Sequence, residues 1–403
     1  MKICDAIDSS DFMDISEKRL FTPHRLGPLT LRNRSIRAAA FEGMCPGNLP
    51  TDALIDYHRD VAAGDIGMTT VAYAAVERSG LSFSHQLLLD EEALPKLKNL
   101  TQAVHEEGAL CSIQIGHCGN MAKRSVTQSR PLAPSSKINL YGPTFPRQMT
   151  TSDIETITRS FGKAVHLARR AGFDAVEVHA GHGYLISQFL SPYTNQRKDE
   201  YGGSLENRAR FLKEVMREVK KAAREDLAVL VKVNMRDGFA GGMEIQECLE
   251  VAKMLESWGA DALVLSGGFV SKAPMYILRG SMPIRVMSRF MTNPLMKIFV
   301  RAFGNILIKD EKFSEVYFLE EAMKFRKSLN LPLVYVGGLL GREKIETVLE
   351  KNFEFVAMAR ALIQNPGFIK NMLTEEFSRS SCDTCNYCIA KMYSREVTCI
   401  QNE

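Results

Sequence analysis

The chain has 403 residues, 45% of them hydrophobic and 24% charged, and a net charge of +4. This ordinary globular composition excludes a disordered, collagenous or coiled-coil chain, and so small a charge gives a nucleic-acid binder no electrostatic footing. Every apolar run is broken by a charge well before the ~18 residues that a membrane-crossing helix needs. The N-terminal stretch MKICDAIDSSDFMDISEKRLF is peppered with acids and lacks the apolar core of a secretory signal. A cytoplasmic protein is therefore expected, in which the 9 cysteines are free, metal-bound or redox-active rather than disulfide-bonded.

Short β-branched runs alternate with longer helix-period segments. In chain order, SIRAAA (35–40) precedes a helical pattern at 51–63, IGMTTVA (66–72) one at 92–107, and ALCSIQI (109–115) one at 151–171. DAVEVH (174–179) precedes 204–224, LAVLVKVN (227–234) precedes 244–257, and DALVLS (261–266) precedes 313–329. LPLVYVG (331–337) and FEFVAMA (353–359) precede 341–350 and 360–376. Strict strand–helix alternation implies a parallel sheet, and strands apolar throughout imply that both its faces are covered. Eight such pairs over roughly 340 residues predict an α/β fold of the (β/α)8 barrel type rather than an open doubly wound sheet.

Three segments exceed the minimal repeat. Residues 116–150 read as a long loop after strand three, with room for a small hairpin. Residues 269–312 are an insertion after strand six, and 377–403 are a polar, Cys-bearing tail. Loops that follow strands lie at the C-terminal face of a barrel, where active sites are built, so the first two should overhang the site. The expected division is a barrel over 1–376, with 269–312 as its lid or cap, and a tail over 377–403.

Strand four ends in Val178, His179, Ala180, Gly181, His182, Gly183 and Tyr184. Two imidazoles three residues apart at a strand end can converge on one small ligand, as hydrogen-bond donors to a carbonyl or phenolate oxygen or as metal ligands. Tyr184 adds a phenol able to deliver a proton. The bland alternative is a pair of satisfied histidines on the barrel rim.

The block HAGHGYLISQFLSPYTNQRKDEYGGSLENRARF (179–211) strongly resembles the signature of the old yellow enzyme family of FMN-dependent ene-reductases. NRSIRAAAFEGM (33–44), QIGHCGN (114–120), VGG (336–338) and ARALIQNP (359–366) resemble further family segments, in the same order. The resemblance covers about residues 19–375 and implies an NAD(P)H-dependent flavoprotein. It places the FMN phosphate at Gly337, Gly338, Ala359 and Arg360, where barrels commonly bind phosphate. It places Gln114 at the flavin pyrimidine edge and Lys232 beside the flavin N1–C2 carbonyl. Ala38, Ala39, Ala40 and Phe41, together with Ala72 and Tyr73, would line the isoalloxazine. A buried lysine without a partner is expensive, so a cofactor contact is a natural explanation for Lys232. His179 and His182 match the pair that grips the substrate carbonyl, and Tyr184 matches the proton donor. Two departures stand out. Phe41 occupies a position where many members carry Thr or Cys, and Asn120 replaces the usual Arg.

The tail places Cys382, Cys385, Cys388 and Cys399 in a C-x2-C-x2-C-x10-C pattern. Four thiolates suit zinc or a [4Fe–4S] cluster. The segment resembles the cluster motif of the 2,4-dienoyl-CoA reductase and trimethylamine dehydrogenase branch, which has three residues between its second and third Cys. Metal-free thiols are the alternative. Cys4, Cys45, Cys111, Cys118 and Cys248 are scattered and read as buried or incidental. From Lys272 to Lys309 the insertion carries Lys272, Arg279, Arg285, Arg289, Lys297, Arg301 and Lys309 and no acid, interleaved with methionines and phenylalanines. A Met-rich lid, a phosphate-binding arm for an acyl-CoA, a membrane-surface element and a packed cap all fit that pattern.

The expected function is FMN-dependent reduction of the C=C bond of an α,β-unsaturated carbonyl compound by NAD(P)H, in a ping-pong cycle on a small enone or enoyl substrate. The alternatives are an iron–sulfur flavoprotein fed by a separate electron-carrier protein and a non-catalytic flavin-binding electron-transfer subunit. A homo-oligomer is expected, and no nucleic-acid partner.

Overall fold

The computed structural model describes residues 19–139, 143–291, 293–373, 379–394 and 396–403. Eight parallel strands close on themselves: β1 Ser35–Arg37, β2 Met68–Ala75, β3 Leu110–Gly116, β4 Ala175–His179, β5 Ala228–Asn234, β6 Ala262–Ser266, β7 Leu333–Val336 and β8 Phe355–Met358. Closure is made by β8 on β1, with Val356 opposite Ser35 and Met358 opposite Arg37. The expected (β/α)8 barrel is therefore present, and closure leaves none of its strands with an unpaired edge.

Side-chain parity decides what fills the barrel. Successive residues of a strand point to opposite faces. On β4 and β5, Val176, Val178, Val229, Val231 and Val233 join the large core between strands and helices. Ala175, Ala228 and Leu230 point inward and join a smaller core with Leu26 and Leu31. Those leucines come from a hairpin of His24–Leu26 with Leu29–Leu31. Farther along the same inward parity the residues turn polar: Glu177 and His179 on β4, Lys232 and Asn234 on β5. The interior is thus apolar at its N-terminal end and polar at its C-terminal end, which is where a site belongs.

The helices α1 Asp52–Ala63, α2 Leu94–Glu106, α3 Thr151–Ala171, α4 Leu205–Ala223, α5 Ile245–Ser257, α6 Leu319–Arg326, α7 Arg342–Glu350 and α8 Arg360–Gln364 follow the strands in turn. The start of α3 shows why they begin where they do. Thr150 accepts the Asp153 N–H, and the Asp153 side chain reaches back to the Thr150 N–H. Such a capping box satisfies two orphan donors, and losing the cap costs about 1 kcal/mol.

Two expectations change. The helix expected over 360–376 stops at Gln364 and resumes as Phe368–Asn371, because Pro366 has no N–H to donate and disfavours helix at Asn365. The helix expected from 313 begins at Leu319; upstream of it the Val316 N–H bonds to the Gly338 carbonyl at 3.1 Å instead of joining a helical turn. Within 116–150, where a small hairpin is expected, Asn139 and Thr144 form an antiparallel bridge, exchanging backbone bonds at 3.1 and 3.2 Å, beside a parallel two-stranded ladder of Leu132–Ala133 with Arg147–Gln148.

The insertion forms three helices, Pro274–Leu278, Ile284–Arg289 and Pro294–Leu307. Met275, Met282, Ile284 and Met287 pack with Ala390 of the tail into a small core of their own. Its methionines therefore serve largely as packing, and the tail is docked against the insertion.

Candidate active site at the C-terminal face of the barrel

His179 is the last residue of β4 and is buried. Its Nδ1 accepts the Gly181 N–H at 3.4 Å. A neutral ring that accepts at Nδ1 carries its proton on Nε2, free to donate. The chain then reverses through two left-handed residues, His182 (φ 59°) and Gly183 (φ 77°). A Cβ on Gly183 would stand 2.4 Å from the Phe269 ring, so that position requires glycine. The His182 N–H donates to Asn234 Oδ1 at 2.9 Å. Asn234 is itself oriented, donating from Nδ2 to Asp237 Oδ1 at 3.0 Å and to the Gly268 carbonyl at 2.8 Å. His182 Nε2 pairs with the Ser266 hydroxyl at 2.7 Å.

These turns bring four rings together. The His179 ring centre lies 5.0 Å from that of His182 and 4.4 Å from that of Tyr184. Tyr73, from β2, closes the group at 5.0 Å from Tyr184. Its hydroxyl is held by Ser82 at 2.5 Å. Burial pushes the His179 imidazole well below its usual range, with His182 and Lys232 adding to the shift. Burial and then Lys232 push His182 down to about 3. Both rings are therefore neutral hydrogen-bond donors near pH 7.

Beneath them, Glu177 receives the Lys232 ammonium at 2.8 Å and the Gln114 amide at 2.5 Å, all three side chains being buried. Lys232 therefore has a protein partner in Glu177, and its burial needs no cofactor contact to explain it. The first-strand loop is braced in a similar way. Arg37 donates to the carbonyls of Thr70 at 2.6 Å and Ala40 at 2.9 Å and to Glu42 at 2.7 Å. Glu42 in turn accepts the Ala72 N–H at 3.1 Å, so that amide is already engaged. Ala38 is buried, while Ala39, Ala40 and Phe41 are half-buried. Phe41 lies against Phe83 at 5.0 Å and His85 at 5.5 Å, and Phe83 also meets Tyr393 of the tail at 5.7 Å.

At the ends of β7 and β8, Gly337 (φ 144°) and Gly338 (φ 66°) make a turn with no room for side chains. A Cβ at either would stand within 2.9 Å of Phe318 or Tyr317. Ala359 precedes α8, and Arg360, its first residue, donates to Asn386 Oδ1 at 2.9 Å. Arg279, from the insertion, lies over the rings of Tyr276 at 4.8 Å, Tyr317 at 4.9 Å and Phe318 at 5.5 Å. Its Nε is buried and makes no hydrogen bond among the described residues. Burial raises the Tyr317 hydroxyl, and Arg360 and Arg279 both oppose that rise, which puts the two cations in one neighbourhood. A glycine turn, two guanidiniums and an unspent N–H form a donor set that fits a phosphate dianion.

Cys385 is exposed, and Cys382, Cys388 and Cys399 are half-buried. Burial pushes the Cys388 thiol up to about 12; Arg360 opposes this, and Cys382, Cys385 and Cys399 add to it. The four thiols thus share a neighbourhood. Among the described residues, however, no group of three or more His, Cys, Asp or Glu is spaced to hold a metal ion. Other contacts shape the loop. Thr384 and Asn386 are left-handed, and Asn386 Nδ2 is tied to the carbonyls of Arg279 at 2.7 Å and Ser281 at 3.1 Å. Of the scattered cysteines, Cys45, Cys111, Cys118 and Cys248 are buried, and Cys4 lies outside the described residues.

Glu177, Ser266, Asn234, Arg37 and Glu42 also belong to the hydrogen-bond network at this face of the barrel. Only Glu177 carries a usable signal in the sequence, a carboxylate in an apolar strand with the same parity as His179. The other four are set in place by partners remote in sequence or by loop geometry.

A profile of the NADH:flavin oxidoreductase / NADH oxidase family matches residues 19–300. A 4,4'-dithiodibutanoate disulfide reductase of Rhodococcus erythropolis is 40% identical over 378 residues, covering 93% of this chain and 93% of its own. An NADH oxidase of Thermoanaerobacter brockii is 30% identical over 91% of this chain and 52% of its own length. Among solved structures, a 2-naphthoyl-CoA reductase in complex with 2-naphthoyl-CoA superposes with a TM-score of 0.80 at 25% identity, covering 94% of this chain and 56% of that one. An old yellow enzyme homologue from Zymomonas mobilis shares the fold, with a TM-score of 0.69 at 24% identity over 91% of this chain and 98% of that one. The chain thus spans nearly the whole of the first relative and about half of the second and of the naphthoyl-CoA enzyme.

Proposed function

Because the chain belongs to the NADH:flavin oxidoreductase / NADH oxidase family, we propose that this flavin-dependent NAD(P)H oxidoreductase reduces the C=C bond of α,β-unsaturated carbonyl compounds at His179, His182 and Tyr184. The observation that carries the reading is the convergence of two neutral imidazoles and a tyrosine at the end of β4. FMN, when bound, supplies two-electron chemistry, accepting hydride from NAD(P)H and passing it to the substrate. Gly337, Gly338, Ala359, Arg360 and Arg279 would hold its phosphate. Gln114 and Lys232 would meet its pyrimidine edge, and Ala38 to Phe41 with Ala72 and Tyr73 would line its ring.

The residues of the chain do the rest. His179 and His182 donate to the substrate carbonyl oxygen and stabilise the negative charge that grows there as the β-carbon is reduced. Ser266 and Asn234 fix the His182 ring and backbone, so little reorganisation is needed during reaction. Tyr184 delivers a proton to the α-carbon.

A second reading is favoured by the 40%-identical disulfide reductase. The same two electrons, delivered as hydride, would cleave the S–S bond of a small organic disulfide to a thiol and a thiolate. The thiolate can take its proton from water, so Tyr184 would be dispensable to that reaction. The zinc or [4Fe–4S] cluster expected for the tail is not supported by the geometry, because among the described residues the four thiols are not spaced to hold a metal ion.

Anaerobic half-reactions test the proposal. Tyr184→Phe should slow reoxidation of the reduced enzyme by cyclohexenone by about 10²-fold or more while leaving reduction by nicotinamide nearly unchanged. Rapid reoxidation by a disulfide, undiminished in the variant, together with no response to enones would establish the second reading instead. Stoichiometric flavin with turnover of neither substrate would point to an electron-transfer subunit.

A further inference from the structure

The helix Pro294–Leu307 has two unlike sides. Gly304 faces inward, where a Cβ would stand 2.9 Å from Ile284, so the helix lies close on its neighbour Ile284–Arg289. Val300 and Ile308 also pack into the small core of the insertion. Opposite Gly304, the 3.6-residue period brings Leu295, Ile298, Phe299, Phe303, Ile306 and Leu307 onto one stripe. All six are exposed, Leu295 to 77% and Ile306 to 70%. A contiguous apolar stripe of this kind marks an interaction surface.

We propose that this helix docks the enzyme on the surface of an anionic lipid bilayer. The charge around the stripe selects that occupant. Arg285, Arg289, Arg301, Lys309 and Lys312 are exposed on and beside the helix, against the exposed acids Asp310 and Glu311. A bilayer surface takes both components, with apolar side chains entering the acyl boundary and cations meeting headgroup phosphates. A second copy would press the same cations against each other across a two-fold axis. Spanning is excluded for this helix, since its 14 residues are too few to cross, and no helix among the described residues is long and apolar enough.

The placement has a chemical meaning. The insertion leaves the end of β6 beside the turn that carries His182, the Val270 N–H donating to the His182 carbonyl at 3.0 Å. Docking would hold the C-terminal face of the barrel near the interface. On the ene-reductase reading above, the substrate class is then an apolar enone that partitions into lipid.

The test uses the flavin-loaded full chain and vesicles of phosphatidylcholine alone or mixed with phosphatidylglycerol, followed by co-sedimentation. Wild type should pellet with the mixed vesicles, less with phosphatidylcholine alone, and less at high salt. The Phe299→Glu/Phe303→Glu variant should bind about tenfold or more weakly. Both side chains are already exposed, so the variant should keep its flavin spectrum and its turnover of cyclohexenone, which separates failure of docking from failure of the ene-reductase reading. An Arg285→Glu/Arg289→Glu variant should lose the preference for anionic vesicles. Wild type that stays in the supernatant with mixed vesicles would overturn the proposal. So would a fall in sedimentation-velocity mass caused by the phenylalanine variant, which would show that a second copy covers the stripe.

Discussion

At the residue scale, the site depends on histidines that burial keeps uncharged. Substituting both His179 and His182 by Ala should abolish the long-wavelength charge-transfer band of bound para-hydroxybenzaldehyde while FMN stays bound; an undiminished band would remove both residues from the site. Burial also lowers His58 and takes His117 down to about 4. The sign for stability follows. Between the folded values and the ordinary imidazole value near 6.5, the unfolded chain binds protons that the fold refuses. Stability is therefore fully present above about pH 6.5 and is lost as the pH falls below it, by up to about 1.4 kcal/mol per pH unit for each fully buried ring. The urea midpoint should drop between pH 7 and pH 5, and drop less in His117→Asn. A midpoint that does not move over that range would contradict the burial argument.

At the scale of elements, the insertion and the tail meet beside Arg360, where the FMN phosphate is proposed to bind. Arg279 supplies a guanidinium with a buried, unspent N–H beside Arg360. Arg279→Gln should weaken FMN binding by about tenfold or more and leave riboflavin, which has no phosphate, nearly unaffected. Equal loss for both ligands, read by quenching of flavin fluorescence, would make Arg279 a packing residue. The tail thiols allow a separate check. Cys385→Ser should retain stoichiometric FMN, since Cys385 is exposed and the expected flavin contacts lie on strand ends and loops. Iron, sulfide and zinc analysis of anaerobically prepared protein and of this variant decides what the thiols hold. A metal lost together with that one thiolate would assign it to the tail, since removing a ligand collapses such a site.

At the scale of the whole molecule, the barrel was legible because its signal is periodic and repeated. Apolar strand runs alternate with amphipathic helices, and each of the eight strands lies within two or three residues of its expected bounds. The start of α6 was not legible, because a long-range bond to Gly338 overrode local helical pattern, whereas the end of α8 was written locally in Pro366. His179, His182 and Tyr184 were readable because one turn carries all of them. Ser266, Asn234 and Arg279 were not. Each reaches its partner from another strand or from the insertion, and nothing local in a serine, an asparagine or an arginine announces that partner. Lys232 shows a subtler failure. The cost of burying its charge was recognised, but its compensation by Glu177, 55 positions earlier in the chain, is visible only when β4 and β5 lie side by side in register.

Asn386 ties three distant pieces together with a single amide group. Its oxygen takes the Arg360 guanidinium, and its nitrogen reaches the carbonyls of Arg279 and Ser281. The end of the chain cannot lift away without releasing both the insertion and the arginine that opens α8. These segments therefore share one local unfolding equilibrium rather than three. A ligand gripped by Arg360 and Arg279, as proposed for the FMN phosphate, would slow hydrogen exchange in the tail without touching it, so the order of the tail would report on cofactor loading.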